Sequence, residues 1–532
     1  MSAPLQTEQD MPSTVTRQGE GLAEGRSLVI LAVMLATFME VLDSTVVNVS
    51  LTHIAGSLSS TASEATWVLT SYLVANGVVI PISGWLANHF GRRNLLLVCT
   101  AGFTIASLLC GIAPSLGMLV AFRVLQGVCG GSLQPLSQAV LLEAFPPRQH
   151  GKAMGIWALA AIVAPVLGPV LGGWLTDNFS WRWVFYINLP IGLVSVLMIR
   201  AFLKDPPYIR RSSARIDSWG LATLFVWVAG LQIMLDKGQE EDWFDSRFIV
   251  FLGLAFAIGF VAWVGRELAT KDPVADLRVF TRISFTAATA ANAVMVFVMY
   301  GSQVTISLWL QTLLGYPSLQ AGVAMVALGL GGIISMPLAS ILVSKFDPRK
   351  VFVCGVLTFS LSFYLLMGFN LNVTFWDVFW PQFLQGLALG LVFVPLTVLA
   401  VVGIPNERMG NATGLFNMMR NIGGGVGISI VETMLTRMGQ QHTNFLVANV
   451  NQTSPTALSL IRGLKGLYVA SGPGLADQQA YATLFGLVER QAAMVALVRV
   501  FQYLGVLALI LIPLIALTKR PRHDESSRPV GY

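Results

Sequence analysis

Long apolar runs alternate with short polar connections along most of the chain. A helix needs about 20 predominantly apolar residues to cross the hydrocarbon core of a bilayer. Fourteen runs have the required length, and they lie near residues 27–51, 65–87, 94–114, 116–142, 152–176, 183–203, 217–236, 247–266, 283–312, 319–344, 350–370, 376–403, 411–436 and 497–518. The pattern therefore predicts an all-α polytopic membrane protein with fourteen transmembrane helices.

Composition agrees with a chain whose main solvent is lipid. Hydrophobic residues make up 55% and charged residues 11% of the 532 positions, which is outside the usual range of soluble domains. The four cysteines fall inside predicted helices, which favours small core residues over disulfides or a metal site. The net charge of +6 is dispersed among short loops, so nucleic acid is not an expected partner. No phosphate-binding loop is recognisable, and we expect no cofactor and no direct use of ATP.

Basic residues distinguish the two sides of the membrane. Alternate connections carry basic residues such as Arg92, Arg93 and Lys345, whereas several of the opposite connections contain no Lys or Arg at all. Because cytoplasmic loops are enriched in Lys and Arg, both termini are predicted to be cytoplasmic. Residues 1–26 lack the apolar core of a signal sequence and are predicted to form a disordered cytoplasmic tail, and residues 519–532 a second one.

An internal repeat relates the two ends of the chain. A shift of about 259 residues aligns Gly127 with Gly386 and Gly168 with Gly427, and it also aligns the residues around them. One shift that serves several segments is difficult to obtain by chance. Many transporters are built from two such repeats, with the substrate site near the membrane midplane between them. The repeat therefore indicates a transporter that works by alternating access.

The repeat also predicts the domain organisation. Residues 27–203 and 283–518 are expected to form two six-helix bundles of like orientation. Residues 204–282 are expected to supply a linker and two inserted helices, the seventh and the eighth. The second bundle includes residues 437–496, which are more polar than their flanks and are predicted to form an extracytoplasmic loop. This loop is either functional or a mobile spacer with some helical content around Leu475 to Arg490.

Charged residues inside the predicted helices indicate proton traffic. Asp43 lies deep in the first helix, and Glu40 shares its helical face. Intramembrane carboxylates are costly and usually functional, although both can instead be structural partners of polar groups. Arg123 in the fourth helix requires an anionic or a carbonyl partner, most simply a carboxylate on the first helix. It either tunes proton release or forms a fixed ion pair. Its repeat counterpart is Gln382, so this chemistry is concentrated in the N-terminal half.

The fifth helix is rich in proline and glycine. These residues can interrupt the helical hydrogen bonds and thin the helix surface, which predicts a kink and close contact with the opposite half; ordinary tight packing is equally compatible. They are Pro165, Gly168, Pro169, Gly172 and Gly173.

Polar residues in the C-terminal half are candidates for the lining of a substrate cavity. They are Asn292, Gln303, Gln385 and Arg420. Hydrogen bonds between helices explain the amides equally well, and Arg420 can instead belong to a structural salt bridge.

Four segments resemble motifs of the major facilitator superfamily, and more narrowly of its fourteen-helix drug:proton antiporters of the EmrB type. They are 42–48, 84–93, 123–127 and 164–173. The last segment resembles the motif that separates proton-exchanging exporters from importers on the same fold. Two positions depart from the family pattern: Asn88 replaces an acidic residue, and Ala164 replaces a glycine.

The resemblance implies a secondary active transporter and not an enzyme. It implies a proton-coupled multidrug efflux antiporter of the bacterial inner membrane, which exports hydrophobic toxic compounds by alternating access. Proton coupling is assigned to Asp43, Glu40 and Arg123. Gating is assigned to the fifth-helix residues above and to Gly84, Gly91, Arg92 and Arg93. The alternative is a proton-linked exporter or importer of a specific metabolite on the same fold.

Partners follow from the same resemblance. Hydrophobic drug-like substrates, protons and membrane lipids are expected. The resemblance also implies a tripartite pump, with a periplasmic adaptor of the membrane-fusion class and an outer-membrane channel. Residues 437–496 are the expected contact for the adaptor.

Overall fold

The computed structural model describes residues 14–145, 149–204, 217–270, 273–316, 318–405, 408–450, 455–468 and 473–518, so the two chain ends and most of the linker lie outside it. The described residues are almost entirely helical, which confirms the predicted all-α architecture. The helices are α1 (Thr14–Val49), α2 (Leu51–Ser57), α3 (Ala62–Ala65), α4 (Trp67–Val79), α5 (Ser83–Phe90), α6 (Arg92–Ile112), α7 (Leu116–Gly130), α8 (Leu133–Ala144), α9 (His150–Asn178), α10 (Trp183–Tyr186), α11 (Asn188–Phe202), α12 (Ser218–Lys237), α13 (Arg247–Ala269), α14 (Ile283–Leu308), α15 (Ser318–Lys345), α16 (Pro348–Met367), α17 (Phe375–Val401), α18 (Met409–Asn449), α19 (Pro455–Leu467) and α20 (Pro473–Ala516).

Long helices, single or bent, occupy the predicted transmembrane runs. Within the described residues, twelve spans are long and apolar enough to cross a membrane, and the pair α4 and α5, bent by 60°, adds a thirteenth. α18 occupies the remaining predicted run. Its membrane segment is less apolar because it carries polar residues such as Asn417 and Arg420, which face the interior of the bundle.

Proline lies at two helix breaks in the first bundle, and the first of them bends its span by 60°. Pro81 lies in the turn between α4 and α5, and Pro135 lies in the first turn of α8, directly after the break that separates it from α7. Proline removes a backbone donor and clashes with the preceding helical turn, so it favours such breaks. The second and fourth spans are therefore each built from two helices.

The first helix begins earlier than the sequence predicts. α1 starts at Thr14, so residues 14–26, expected in a disordered tail, are helical. The apolar run that starts at Ser27 marks where lipid contact begins. It does not mark the end of the helix, which continues through residues 14–26 although glycine, a poor helix former, occupies three of these thirteen positions.

The expected extracytoplasmic loop is a helical protrusion. α18 has 41 residues and α20 has 44, lengths of about 62 Å and 66 Å, whereas the hydrocarbon core is about 30 Å thick. Residues 437–449 and 473–496 therefore continue the membrane helices beyond the bilayer. Between them α19 packs on α20, with Leu464 against Ala480 and Leu484. We call residues 437–449, 455–468 and 473–496 the protrusion.

Equivalent contacts occur in the two halves of the repeat. A side chain added at Gly127 of α7 would meet the backbone of Tyr72 and the side chain of Ala75 on α4. A side chain added at its counterpart Gly386 of α17 would meet the backbone of α15 around Gly331, which the same shift relates to Tyr72. Glycine at both positions allows two helices to pack backbone against backbone.

The two halves touch each other at one end of the bundle. We call the end where α1 begins and α20 finishes the tail face, and the opposite end, which carries the protrusion, the far face. At the tail face, Gly84 of α5 lies against the backbone of Gly410 and Asn411 in α18. Nearby, Gly155 of α9 lies against Ser340 of α15. The described conformation is therefore closed at the tail face.

The inserted helices differ in their surroundings. α12 bridges the halves: Thr70 Oγ1 of α4 donates to Asp236 Oδ2 at 2.5 Å, and Ser429 Oγ of α18 donates to the carbonyl of Leu235 at 2.9 Å. α13 packs outside α12 and exposes apolar side chains such as Phe251 and Val261. This surface is suited to contact with lipid.

Candidate proton and substrate site

Asp43 is fully buried and accepts hydrogen bonds from three side chains on two helices, α7 and α11. Arg123 Nη1 contacts Asp43 Oδ2 at 2.5 Å, and the other carboxylate oxygen accepts from Gln126 Nε2 at 2.9 Å and from Asn188 Nδ2 at 2.7 Å. Arg123 and Gln126 project from the same face of α7 because they are three residues apart. The expected pairing of Arg123 with a carboxylate on the first helix is present in the structure.

Arg123 is fixed on more than one side. Its Nε donates to the carbonyl of Val68 at 3.0 Å, and its Nη1 also donates to Gln126 Oε1 at 2.8 Å. The guanidinium lies 4.2 Å from the centre of the Tyr72 ring. A planar cation on an aromatic face gains electrostatic attraction in a dry interior. These contacts hold the cation beside Asp43.

Glu40 occupies a second buried polar site one turn away on α1. Tyr72 Oη and Asn76 Nδ2, one turn apart on α4, each donate to Glu40 Oε1 at 3.1 Å. Gln134 Nε2 of α8 donates to Glu40 Oε2 at 2.6 Å. Each acid therefore has its own donors, and Tyr72 lies between the two sites, bonded to Glu40 and stacked on Arg123.

The corresponding place in the C-terminal half is neutral. Gln303 Nε2 of α14 donates to Gln382 Oε1 at 3.3 Å and to Gln385 Oε1 at 3.2 Å on α17. Gln382 and Gln385 are the repeat counterparts of Arg123 and Gln126. An amide cluster in one half thus occupies the position of the ion pair in the other half.

A cavity of about 390 Å³ lies between the halves. Its wall is mainly apolar and aromatic, with a few polar side chains, which is the usual character of a small-molecule site. Residues from both halves contribute, among them Thr45, Asn48, Trp157, Pro165, Asn292, Met299, Tyr300, Gln303, Phe416 and Arg420. Thr45, Asn48 and Tyr300 lie in the far-face halves of their helices, consistent with closure at the tail face.

Three of the four residues proposed for the cavity line it. They are Asn292, Gln303 and Arg420, whereas Gln385 is buried behind Gln303. Arg420 makes no salt bridge within the described residues; its Nη2 donates to Gln134 Oε1 at 2.8 Å and its guanidinium lies over the Trp157 ring. The buried Asn292 amide has no hydrogen-bond partner among the described residues, so it is available to a ligand.

Several partners of the acids were not predicted from the sequence. Asn188, Asn76 and Gln134 contact the carboxylates from three different elements. Nothing in the chain order indicates that these amides face the first helix. Gln126 was present in a recognised motif, and its three-residue spacing from Arg123 is the signal that could have identified it.

The loop residues assigned to gating form contacts at the tail face. Gly91 has φ of +84° between α5 and α6, a conformation that favours glycine. Arg92 forms a buried ion pair with Glu143 of α8, and Arg93 Nη2 donates to the carbonyl of Arg200 at 2.8 Å. The basic residues therefore connect helices of the N-terminal half, while Gly84 touches the opposite half.

The small residues of the fifth helix contact a different half from the one predicted. α9 runs through Pro165 and Pro169 as one helix. Gly168 and Gly172 lie against Thr45 and Val46 of α1, in the same half and not the opposite one. The small residues pack two neighbouring helices, and Pro165 faces the cavity. A Cβ added at Gly173 would have no other atom of the described residues within 4 Å.

Known proteins resemble this chain over nearly its whole length. The family model described as Major Facilitator Superfamily matches residues 33–428. The multidrug export protein EmrB of Escherichia coli (strain K12) is 37% identical over 501 residues, which cover 94% of this chain and 96% of that relative. The fatty acid resistance protein FarB of Neisseria gonorrhoeae is 37% identical over 500 residues, which cover 93% and 96%. The solved structure of the proton:xylose symporter XylE superposes with a TM-score of 0.58 over 93% of this chain and 100% of that chain, at 14% identity.

The fold is that of a polytopic membrane transporter. The chain belongs to the Major Facilitator Superfamily and, within it, to the EmrB-type multidrug exporters. The XylE likeness bears on the fold alone because the two sequences share so little identity.

Closure of the tail face should be sensitive to Gly84. In Gly84→Ala the new Cβ would overlap the backbone of α18, and overpacking of this kind costs about 1–3 kcal/mol. We expect a shift of the population towards forms open at the tail face. Double electron–electron resonance measures this population from the distance between two spin labels. The labels are attached at Lys152→Cys and Ser344→Cys in a background without the native cysteines.

Gly265→Ala is the matched control, because an added Cβ on α13 meets nothing within 4 Å. Its distance distribution should equal that of the parent. An unchanged distribution in Gly84→Ala would show that Gly84 does not limit closure.

Proposed function

We propose that the chain is a proton-coupled multidrug efflux antiporter of the bacterial inner membrane, with the tail face and both termini in the cytoplasm. The observation that carries the proposal is the pair of buried acids on α1, Asp43 and Glu40, each held by donors from other helices. Protonation removes the charge that these donors stabilise. A rearrangement of the helices that supply the donors therefore changes how readily each acid holds its proton.

The cycle follows from this linkage. With the far face open, protons from the periplasm neutralise the acids and weaken the contact between Asp43 and Arg123. The bundles then rock, the tail face opens, and the acids release protons to the cytoplasm as drug enters the cavity. Each charge that crosses contributes about 2.3 kcal/mol per 100 mV of membrane potential. Return to the described conformation carries the drug to the far face.

The cavity suits hydrophobic compounds that carry a polar group. Met299, Trp157 and Phe416 offer an apolar wall, and methionine adapts its shape readily. Asn292 and Arg420 offer hydrogen-bond donors within that wall. A site with few directional groups binds many related molecules, as multidrug export requires.

Transport in proteoliposomes tests this function. We expect vesicles with an acidic lumen to accumulate compounds from a panel of hydrophobic cations and weak acids, and to lose luminal protons as they do so. Vesicles at equal pH should not accumulate them. Uptake of a single metabolite down its own gradient, with no movement of protons, would instead support a specific carrier.

We further propose that the protrusion docks a periplasmic adaptor of the membrane-fusion class within a tripartite pump that reaches an outer-membrane channel. The protrusion has its own apolar contacts, and the ion pair between Lys465 Nζ and Asp477 Oδ1 at 2.9 Å joins α19 to α20. Apolar side chains are nevertheless exposed along it, including Leu467, Leu475 and Tyr481. Contiguous exposed apolar patches are typical of protein contact sites, and we propose that these side chains form one.

Leu467→Asp should weaken adaptor binding without affecting transport by the isolated chain. Leu467 is 76% exposed, so the charge does not disturb packing within the protrusion. Binding of a purified membrane-fusion adaptor by surface plasmon resonance, beside proteoliposome transport without adaptor, measures the two effects. Unchanged adaptor affinity would place the contact elsewhere.

A further inference from the structure

The half-buried Gln134 connects an acid of one half to a cation of the other. Its Nε2 donates to Glu40 Oε2 at 2.6 Å, and its Oε1 accepts from Arg420 Nη2 at 2.8 Å. Glu40 does not line the cavity, whereas Arg420 does. Gln134 therefore joins the buried carboxyl of the N-terminal half to the cavity wall supplied by the C-terminal half.

The orientation of the Gln134 amide is dictated by its neighbours. Arginine can only donate hydrogen bonds and an ionised carboxylate can only accept them, so the amide oxygen must face Arg420 and the amide nitrogen must face Glu40. Both bonds involve a charged partner and are stronger than neutral ones. The chain of Glu40, Gln134 and Arg420 is thus aligned from the negative to the positive end.

We propose that Gln134 is a coupling residue whose amide transmits the protonation state of Glu40 to Arg420, and thereby to the closure of the two halves at the tail side of the cavity. The inference rests on the proposed antiport function and names the side chain that connects the proton site to the moving interface.

Protonation of Glu40 breaks the alignment. A protonated carboxyl gains an O–H donor and loses the charge that attracted the amide N–H, so the bond from Gln134 to Glu40 becomes a weaker neutral bond and the amide is no longer polarised towards Arg420. The bond to Arg420 weakens, and the halves lose a contact that favours closure. Arg420 is then free to contact a substrate in the cavity while it remains over the Trp157 ring.

The chain offers a matched control one helical turn away. Gln138 lies four residues after Gln134 on α8, and its Oε1 accepts from Asn417 Nδ2 of α18 at 2.7 Å. This bond also joins the two halves, but no charged group takes part in it. Removal of the Gln138 side chain therefore tests loss of an inter-half bond, whereas removal of the Gln134 side chain tests loss of the link to Glu40.

The test measures closure without any ligand. Spin-label distances between Lys152→Cys and Ser344→Cys are recorded from pH 8.5 to pH 5.5, a window of about three units chosen to span titration of perturbed carboxyls. In the parent we expect the tail-open population to rise about tenfold as the pH falls, the effect of losing one charge-assisted bond. In Gln134→Leu, and in Gln134→Asn with its shorter side chain, the tail-open population should change by less than about twofold over the same pH range. In Gln138→Leu the tail-open population should be larger at every pH, but it should still rise about tenfold as the pH falls.

Other charged or titratable groups near Glu40 are Tyr72 and Arg420, with Asp43 and Arg123 beyond Tyr72. Glu40→Gln separates their contribution, because any response that remains in this variant comes from the other groups, chiefly Asp43, and Gln134→Leu should leave that remainder unchanged. A response in Gln134→Leu that exceeds the response in Glu40→Gln overturns the proposal, and so does a parent without pH response. Accumulation by the parent in acid-loaded proteoliposomes would still support antiport in each of these cases.

Discussion

Asp43→Asn should abolish drug-driven proton movement while the protein still inserts and folds in the membrane. Asp43 accepts three hydrogen bonds on two oxygens, and asparagine has one oxygen for the same donors. The variant also leaves the buried Arg123 without a counter-charge, a loss that typically costs about 3–5 kcal/mol. The folded variant should still bind drug, but the site can no longer take up and release a proton.

Pyranine-loaded proteoliposomes measure this effect as a change of luminal pH on addition of drug. The signal of Asp43→Asn should match that of protein-free vesicles at equal reconstitution. Asp377→Asn is a suitable control, because Asp377 is an exposed acid in the first turn of α17 and lies away from the site. A parental pH change in Asp43→Asn would remove Asp43 from the coupling mechanism.

Arg123→Gln should retain drug binding and lose coupling. The change copies the C-terminal half, where Gln382 packs beside Gln385 without an ion pair. Without Arg123 the buried Asp43 loses its ion-pair partner, a loss that typically costs about 3–5 kcal/mol, so the ion pair that proton release restores in the cycle can no longer form. Equilibrium binding of a fluorescent hydrophobic dye, compared with pH-driven accumulation of the same dye, separates the two properties.

Arg123→Lys provides the comparison that isolates geometry from charge. Lysine keeps the positive charge but cannot reproduce the planar set of donors that reaches Asp43, Gln126 and the Val68 carbonyl together. We expect partial coupling in this variant. Full accumulation by Arg123→Gln would reduce Arg123 to a structural role.

The spans and the charged pair were predictable because each depends on local sequence. The length of an apolar run determines whether a helix can cross the bilayer, and the cost of an unpaired Arg123 predicts a carboxylate partner on a neighbouring helix. The repeat shift of about 259 residues likewise aligned Gly127 with Gly386 before their equivalent packing was observed.

Other features depend on contacts between distant segments and could not be predicted. Small residues suggested close contact between the fifth helix and the opposite half, yet Gly168 and Gly172 pack against Thr45 and Val46 of α1 in their own half. Polarity suggested a loop at 437–496, whereas outside the bilayer a helix needs no apolar surface on every side. The protrusion satisfies its backbone within α18, α19 and α20.

The different contacts of the two acids also depend on the tertiary structure. Glu40 and Asp43 share a face of α1, which suggested one coupled pair. The structure instead gives them separate donors, with Tyr72 between them, and connects Glu40 through Gln134 to the opposite half. Asp43 is connected to Arg123, within its own half.

Proton release on drug binding tests the central claim most directly. Purified protein in weakly buffered detergent solution receives a compound that it accumulates in proteoliposomes, and a pH indicator records the protons released. We predict release by the parent and no release by the double variant Glu40→Gln and Asp43→Asn at the same occupancy of drug. Saturated binding without proton release in the parent, or undiminished release in the double variant, would contradict coupling through these two acids.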